Sequence, residues 1–153
     1  MAISFGGEFT VQRKKEDVYA FLTDPNAFAP LLPDYQSHTV QDTRNFTVKV
    51  NVGISYIRGT AEVKMQLAEA KRPNRAAYKG QGSVAGGGAT VSAGFDLADS
   101  GGGTQVKWKG EAQLFGRLTA VAGGLLEPLA RKNVEKLING LKAALESQAT
   151  AAP

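Results

Sequence analysis

From Tyr35 to about Leu114 apolar and polar residues alternate with period 2, and on both sides of that stretch the period becomes helical. Phe46, Val48, Val50, Val52 and Ile54 share one face of a run whose other face carries Asn45, Thr47, Lys49 and Asn51. The next runs oppose Ala61, Val63, Met65 and Leu67 to Thr60, Glu62, Lys64 and Gln66, and Ala76, Tyr78, Gly80, Gly82 and Val84 to Arg75, Lys79, Gln81 and Ser83. Two more set Ala89, Val91, Ala93, Phe95 and Leu97 against Thr90, Ser92 and Asp96, and Val106, Trp108, Gly110, Ala112 and Leu114 against Gln105, Lys107, Lys109, Glu111 and Gln113. Turn signals at Arg58-Gly59, Pro73-Asn74, Gly86-Gly87-Gly88 and Gly101-Gly102-Gly103 separate them, which predicts an antiparallel meander with one wet and one dry face.

A first strand is expected around Phe5 to Gln12, then a short amphipathic helix opened by Lys15-Glu16-Asp17 and presenting Val18, Phe21 and Leu22. Asp24 is placed as the N-cap of a further turn of helix, with Pro25 at its first position and Pro33 as its stop. That connector carries Phe28, Leu31 and Leu32. From about Arg117 to Glu146, Leu118, Val121, Leu125, Leu129, Leu137, Leu141 and Leu145 recur at helical spacing, so one long helix covers the dry face. Pro128 and Gly123-Gly124 fall inside it, which predicts a kink or loosened turn near Gly124. Residues 1–146 read as one domain and 147–153 as a flexible tail.

The dry face contains too little volume. Alongside its large side chains it points Ala61, Ala76, Gly80, Gly82, Ala89, Ala93, Gly110 and Ala112 inward, although protein interiors are close-packed. Either these residues let a wrapping sheet bend and a helix approach closely, or they surround space that a ligand fills. In the second case the candidate lining is Phe28, Leu31 and Leu32 from the connector; Val50, Val63, Met65, Tyr78, Gly80, Ala93, Phe95, Trp108, Gly110 and Ala112 from the strands; and Val121, Leu125 and Leu129 from the helix. The connector and the turn at Gly123-Gly124 are the expected gates.

Such a lining holds almost no reactive chemistry. Its polar handles are the Tyr78 hydroxyl and the Trp108 indole, with His38 and Tyr56 near the rim, and no inward carboxylate. Catalysis by general acid and base, or by a nucleophile beside a base, has no visible constellation, so binding is the better reading. His38 is in phase with Val40, and a hydrogen-bonded structural histidine is a simpler reading than a catalytic one.

Composition narrows the classes further. The 153 residues include no cysteine and one histidine, which removes disulfides, thiolate chemistry and cysteine or multi-histidine metal sites. No cofactor is expected. The formal charge of +4 is spread along the chain, with its densest runs at Arg13-Lys14-Lys15, Lys71-Arg72 with Arg75, and Arg131-Lys132. Lys49, Lys64, Lys79, Lys107 and Lys109 alternate with neutral and acidic neighbours, so neither nucleic-acid binding nor any other site is expected on the wet face. The glycine triplets lack the lysine of a phosphate loop and lead into strands. The N-terminus lacks a signal-peptide pattern and no run is long enough for a membrane span, so a cytoplasmic location is expected.

Val18-Tyr19-Ala20-Phe21-Leu22-Thr23-Asp24-Pro25, Leu32-Pro33, Lys49-Val50-Asn51-Val52-Gly53, Gly59-Thr60-Ala61-Glu62-Val63, the stretches Gly86-Gly87-Gly88-Ala89 and Gly101-Gly102-Gly103-Thr104, and the helix with Leu118, Ala130-Arg131-Lys132 and Leu137 resemble, in order and spacing, the carbon monoxide dehydrogenase G-subunit family of the START-like (SRPBCC) superfamily. The resemblance spans about Gly6 to Leu145. It implies an α+β helix-grip fold: a curved antiparallel sheet wrapped around a long C-terminal helix, with two short N-terminal helices closing one end over an apolar cavity. It also implies an accessory, non-catalytic role beside a molybdenum hydroxylase of the carbon monoxide dehydrogenase type, with membrane tethering and lipid or quinone handling as its roles; for this chain at most peripheral membrane contact is expected. The family's usual Leu-Pro-Gly is Leu32-Pro33-Asp34 here, which predicts a different turn, and the small polar tail argues against a membrane tether. Two other readings stay open: a superfamily enzyme of the aromatase/cyclase or hydratase kind using Tyr78, Tyr56 or His38 as acid or base, and a protein-docking module with a vestigial cavity.

Overall fold

Ten residues of alternating pattern at the N-terminus form β1 (Ala2–Val11), and the acidic pair Glu16 and Asp17 sits in the first turn of α1 (Lys15–Leu22), where the helix dipole favours negative charge. The computed structural model describes residues 2–54, 57–84, 86–116 and 126–151. After α1, the Asp24 carboxylate accepts a hydrogen bond from the Asn26 backbone N–H at 3.0 Å and Pro25 occupies the first position of α2 (Pro25–Phe28). That is the predicted cap. A turn of 3-10 helix (Ala29–Leu31) completes the connector.

The strands β2 (Tyr35–Val40), β3 (Asn45–Ile54), β4 (Ile57–Lys71), β5 (Arg75–Val84), β6 (Gly87–Ser100) and β7 (Gly103–Gly116) follow, and the described chain closes with α3 (Leu126–Ala151). All neighbours pair antiparallel in the order β1-β7-β6-β5-β4-β3-β2, so the first strand joins the last and β1 and β2 are the edges. Register shifts between Tyr35 and Ser37 and between Leu67 and Glu69 bend the curved sheet. One face is buried against α1, α2 and the C-terminal half of α3. Its main core joins Val11, Val18, Phe46, Leu67, Tyr78, Phe95 and Val106 to Leu141 and Leu145 of α3. Leu145 is fully buried, so Leu145→Ala should cost about 2–5 kcal/mol. A second, smaller cluster at the other end of the sheet is formed by Ala61 and Val84 with Val50, Val52 and Leu114.

Two local expectations need correction. The register pairs Ile54 with Ile57, so Arg58-Gly59 lies inside β4 and not at the reversal, because the apolar alternation carries through Gly59. Gly87, Gly88 and Gly103 are strand residues; only the leading glycines of the triplets, Gly86 and Gly101-Gly102, are turn. Asp34, directly after Leu32-Pro33, takes a φ of 58°. The kink or loosened turn expected near Gly124 lies outside the described residues.

Candidate functional site

The buried face divides into three zones along the strands. At the α1 end three aromatic rings pack edge to face, Phe28 against Phe46 at 5.7 Å, Phe28 against Tyr78 at 5.8 Å and Phe46 against Tyr78 at 5.9 Å between centroids. The connector is thereby docked on the sheet through Phe28, with Leu31 packed beside it and Leu32 half-buried. Tyr78 is buried, and its hydroxyl donates to the Leu22 carbonyl at 2.9 Å. Burial, aided by the neighbouring Tyr19 and Asp24, pushes the Tyr78 phenol well above its ordinary range. A phenol held neutral and committed to a backbone carbonyl is a poor proton donor or acceptor for chemistry.

At the far end lies the Ala61–Val84 cluster, to which Val50 belongs. Between the two ends runs the band of small residues, and the structure separates its members into filled and open positions. A Cβ on Gly80 would run into the Met65 sulfur and lie 2.9 Å from the Lys64 carbonyl oxygen, and one on Gly82 would meet Val63 at 3.1 Å. Those glycines admit side chains from β4. Gly7 does the same for Trp108, whose ring would lie 3.1 Å from an added Cβ. Gly110 differs: among the described residues an added Cβ meets nothing nearer than the Ser92 carbonyl oxygen at 3.7 Å. Its cross-strand partner Ala93 is exposed although it stands on the same face as buried Phe95 and Leu97, and Ala112 next to Gly110 is half-buried. On the other side of Gly110 stands Phe5, with the Arg131 guanidinium of α3 5.2 Å above its ring.

The candidate surface is therefore centred on Ala93 and Gly110, bordered by Phe5, Val91 and Ala112. Of the sequence-predicted lining, Phe28, Met65, Tyr78, Phe95 and Trp108 pack in or against the main core, Val63 covers Gly82, and Leu129 is half-buried on α3. Val121, Leu125 and Tyr56 lie outside the described residues. Sequence reasoning missed Phe5 as a border, although its alternation with Ile3, Gly7 and Phe9 marks it as inward.

His38 stands on the same face at the β2 edge. Its Nδ1 lies 2.6 Å from the Tyr35 hydroxyl and its Nε2 2.8 Å from Asn26 Oδ1. With the amide oxygen accepting, Nε2 carries the proton and Nδ1 accepts from Tyr35. Both nitrogens are thus engaged in a strap that ties α2 to β2. Several residues of the basic runs are likewise engaged: Arg13 pairs with Asp17, Lys15 with Asp99, Arg72 with Glu16, and Arg75 with Glu69 and Asp96. Among the described residues no cluster of three His, Cys, Asp or Glu side chains is placed to hold a metal, and no helix is long and apolar enough to cross a membrane.

An antiparallel sheet curved over a C-terminal helix, with a largely apolar inner face, is the START-like (SRPBCC) class of fold. It is shared with a conserved protein from Geobacillus kaustophilus (TM-score 0.82, 16% identity, covering 95% of this chain and 96% of that one). The Mll3558 protein from Rhizobium loti is also similar (TM-score 0.71, 15% identity, 95% and 98% covered). So is the di-domain ARO/CYC BexL of the BE-7585A biosynthetic pathway (TM-score 0.67, 16% identity), of which this chain covers 51% with 99% of its own length. A family model for the G subunit of carbon monoxide dehydrogenase (CoxG) matches residues 7–146, and the chain belongs to this family. A search of curated proteins finds no match.

Proposed function

We propose that this protein is a non-catalytic accessory component that binds a hydrophobic molecule, lipid-like or quinone-like, on the inner face of its sheet and serves a molybdenum hydroxylase of the carbon monoxide dehydrogenase type. The observation that carries the reading is the exposure of Ala93 on the same face as buried Phe95 and Leu97, across from a Gly110 that has room for a side chain among the described residues. An apolar surface of small residues flanked by aromatic and aliphatic walls suits an apolar ligand with few directional demands. Membership of the CoxG family supports the association with a redox enzyme. A non-catalytic role is supported by the engagement of Tyr78 with Leu22 and of His38 with Tyr35 and Asn26, which leaves neither as a ready acid or base. On this reading the protein works in the cytoplasm and collects its ligand at the inner membrane surface by peripheral contact.

The test is titration with a fluorescent fatty acid and with a short-chain quinone, together with organic extraction of the protein purified from its own source. Saturable binding of either probe, lost in Ala93→Phe, is the expected result. No binding by either would favour a docking module with a vestigial cavity. The similarity to an aromatase/cyclase keeps one further outcome in view: turnover of a polyketide-like substrate that disappears in Tyr78→Phe would assign an enzyme instead.

A further inference from the structure

The outer face of the sheet carries a trough of about 530 Å³, whose lining also takes in Gly80 and Val91. Its floor is β6, whose outward residues are short: Thr90 and Ser92, flanked in sequence by Gly88 and Gly94. Long side chains form the walls, Lys79 and Gln81 of β5 with Lys64 and Gln66 of β4 behind them, and Glu111 and Gln113 of β7 on the other side. At the Gly88 end stands Phe115, half exposed at 51%, its ring 2.6 Å from where a Gly88 Cβ would be.

The register gives this trough a charge that the linear pattern conceals. Lys49 faces Glu62 across the sheet, and Lys107 faces Glu8 and Asp96. By contrast Lys64 faces Thr47 and Gln81, Lys79 faces Gln66 and Ser92, and Lys109, two residues along the wall from Glu111, faces Gly6 and Gly94. Among the described residues Lys64, Lys79 and Lys109 make no ion pair, whereas Arg13, Lys15, Lys71, Arg72 and Arg75 all do. The one carboxylate in the trough, Glu111, accepts from the Gln113 amide at 3.3 Å.

We infer that this trough docks an extended acidic segment of a partner protein, lying along β6 with carboxylates toward Lys64, Lys79 and Lys109 and an apolar side chain on Phe115. The donors are long side chains on three strands, β4, β5 and β7, level in turn with Thr90, Ser92 and Gly94 of β6, and the sheet's backbone N–H groups are used in its own ladder, so nothing converges on a compact anion. A nucleic acid, with a phosphate at every step, would set one against Glu111; a peptide can place a neutral residue there and donate to it. The thermodynamic gain is modest and specific, as expected of exposed charge pairs.

The test uses the full chain and a fluorescein-labelled peptide of alternating Glu and Thr ending in Phe, with a matched peptide in which Gln replaces Glu. Anisotropy at low ionic strength should show binding of the Glu peptide only, weakened by added salt. Lys64→Gln and Lys79→Gln should each weaken it about two- to fivefold, the size of an exposed ion pair, and Glu111→Gln should strengthen it by a similar factor. Lys14→Gln, on the opposite basic run, should leave it unchanged, and amide chemical shifts should move at Thr90, Ser92 and Gln113. Equal binding of the two peptides, insensitivity to Lys79→Gln, shifts centred on Ala93 instead, or tighter binding of an oligothymidylate than of the Glu peptide would each overturn the proposal.

Discussion

The Tyr78 hydroxyl on β5 donates to the carbonyl of Leu22, 56 residues earlier, at 2.9 Å, and so satisfies a backbone acceptor left over at the C-terminal end of α1. Tyr78→Phe removes the donor and leaves that carbonyl buried against an apolar ring. Destabilisation of about 1–3 kcal/mol by urea unfolding is expected, with binding of an apolar probe retained. Loss of probe binding without loss of stability would instead make Tyr78 a ligand contact.

The same phenol predicts the alkaline limb of stability. Burial raises its pKa above the ordinary value of 10.0, so between the unfolded and folded values the folded protein holds a proton that the unfolded chain has released. Its contribution is fully present below about pH 10 and is lost as pH rises through the folded pKa. Wild-type stability should therefore fall with pH above about 10, and Tyr78→Phe should flatten that fall; identical slopes would deny the phenol its role.

Filled and open glycines should respond oppositely to added side chains. Gly80→Ala forces its Cβ into Met65 and the Lys64 carbonyl and should cost about 1–3 kcal/mol. Gly110→Leu and Ala93→Phe enter open space, so their melting temperatures should stay level or rise while probe uptake disappears. Destabilisation of all three alike would mean that the whole band serves curvature.

Asp34 occupies the left-handed region with φ 58°, and its carbonyl accepts from Asn51 N–H at 2.9 Å, which anchors the connector to β3. Aspartate tolerates this conformation and glycine adopts it freely, whereas a plain Cβ costs about 1–2 kcal/mol. The expected order of stability is Asp34→Gly at or above wild type, then wild type, then Asp34→Ala; equal melting of the glycine and alanine variants would contradict it.

The Asn26–His38–Tyr35 strap should set how often the connector opens. His38→Leu removes both hydrogen bonds yet keeps a side chain of similar size. Hydrogen exchange from residues 25–31 should accelerate while sheet amides keep their protection, and an apolar ligand should enter faster. Unchanged exchange in that segment would show that Phe28 alone holds the connector.

Which residues face inward was legible in the chain itself, because alternation along a strand is a local property: each side chain's face follows from its neighbour's. Tyr78, Phe95 and Val106 on one face and Lys64, Lys79 and Lys109 on the other needed no knowledge of the fold, and neither did the Asp24 cap or the leucine stripe ending at Leu145. What each inward gap contains was settled by packing. Gly80 and Gly110 are equivalent in the pattern, yet Met65 reaches over the first and nothing comparable among the described residues reaches over the second. Charge followed the same rule. Arg72 finds Glu16 and Lys15 finds Asp99 across long stretches of chain, while Lys79 lands between Gln66 and Ser92. Space filling and charge pairing depend on cross-strand register and on the lean of side chains from neighbouring elements, and these are fixed only when the sheet closes over its helices.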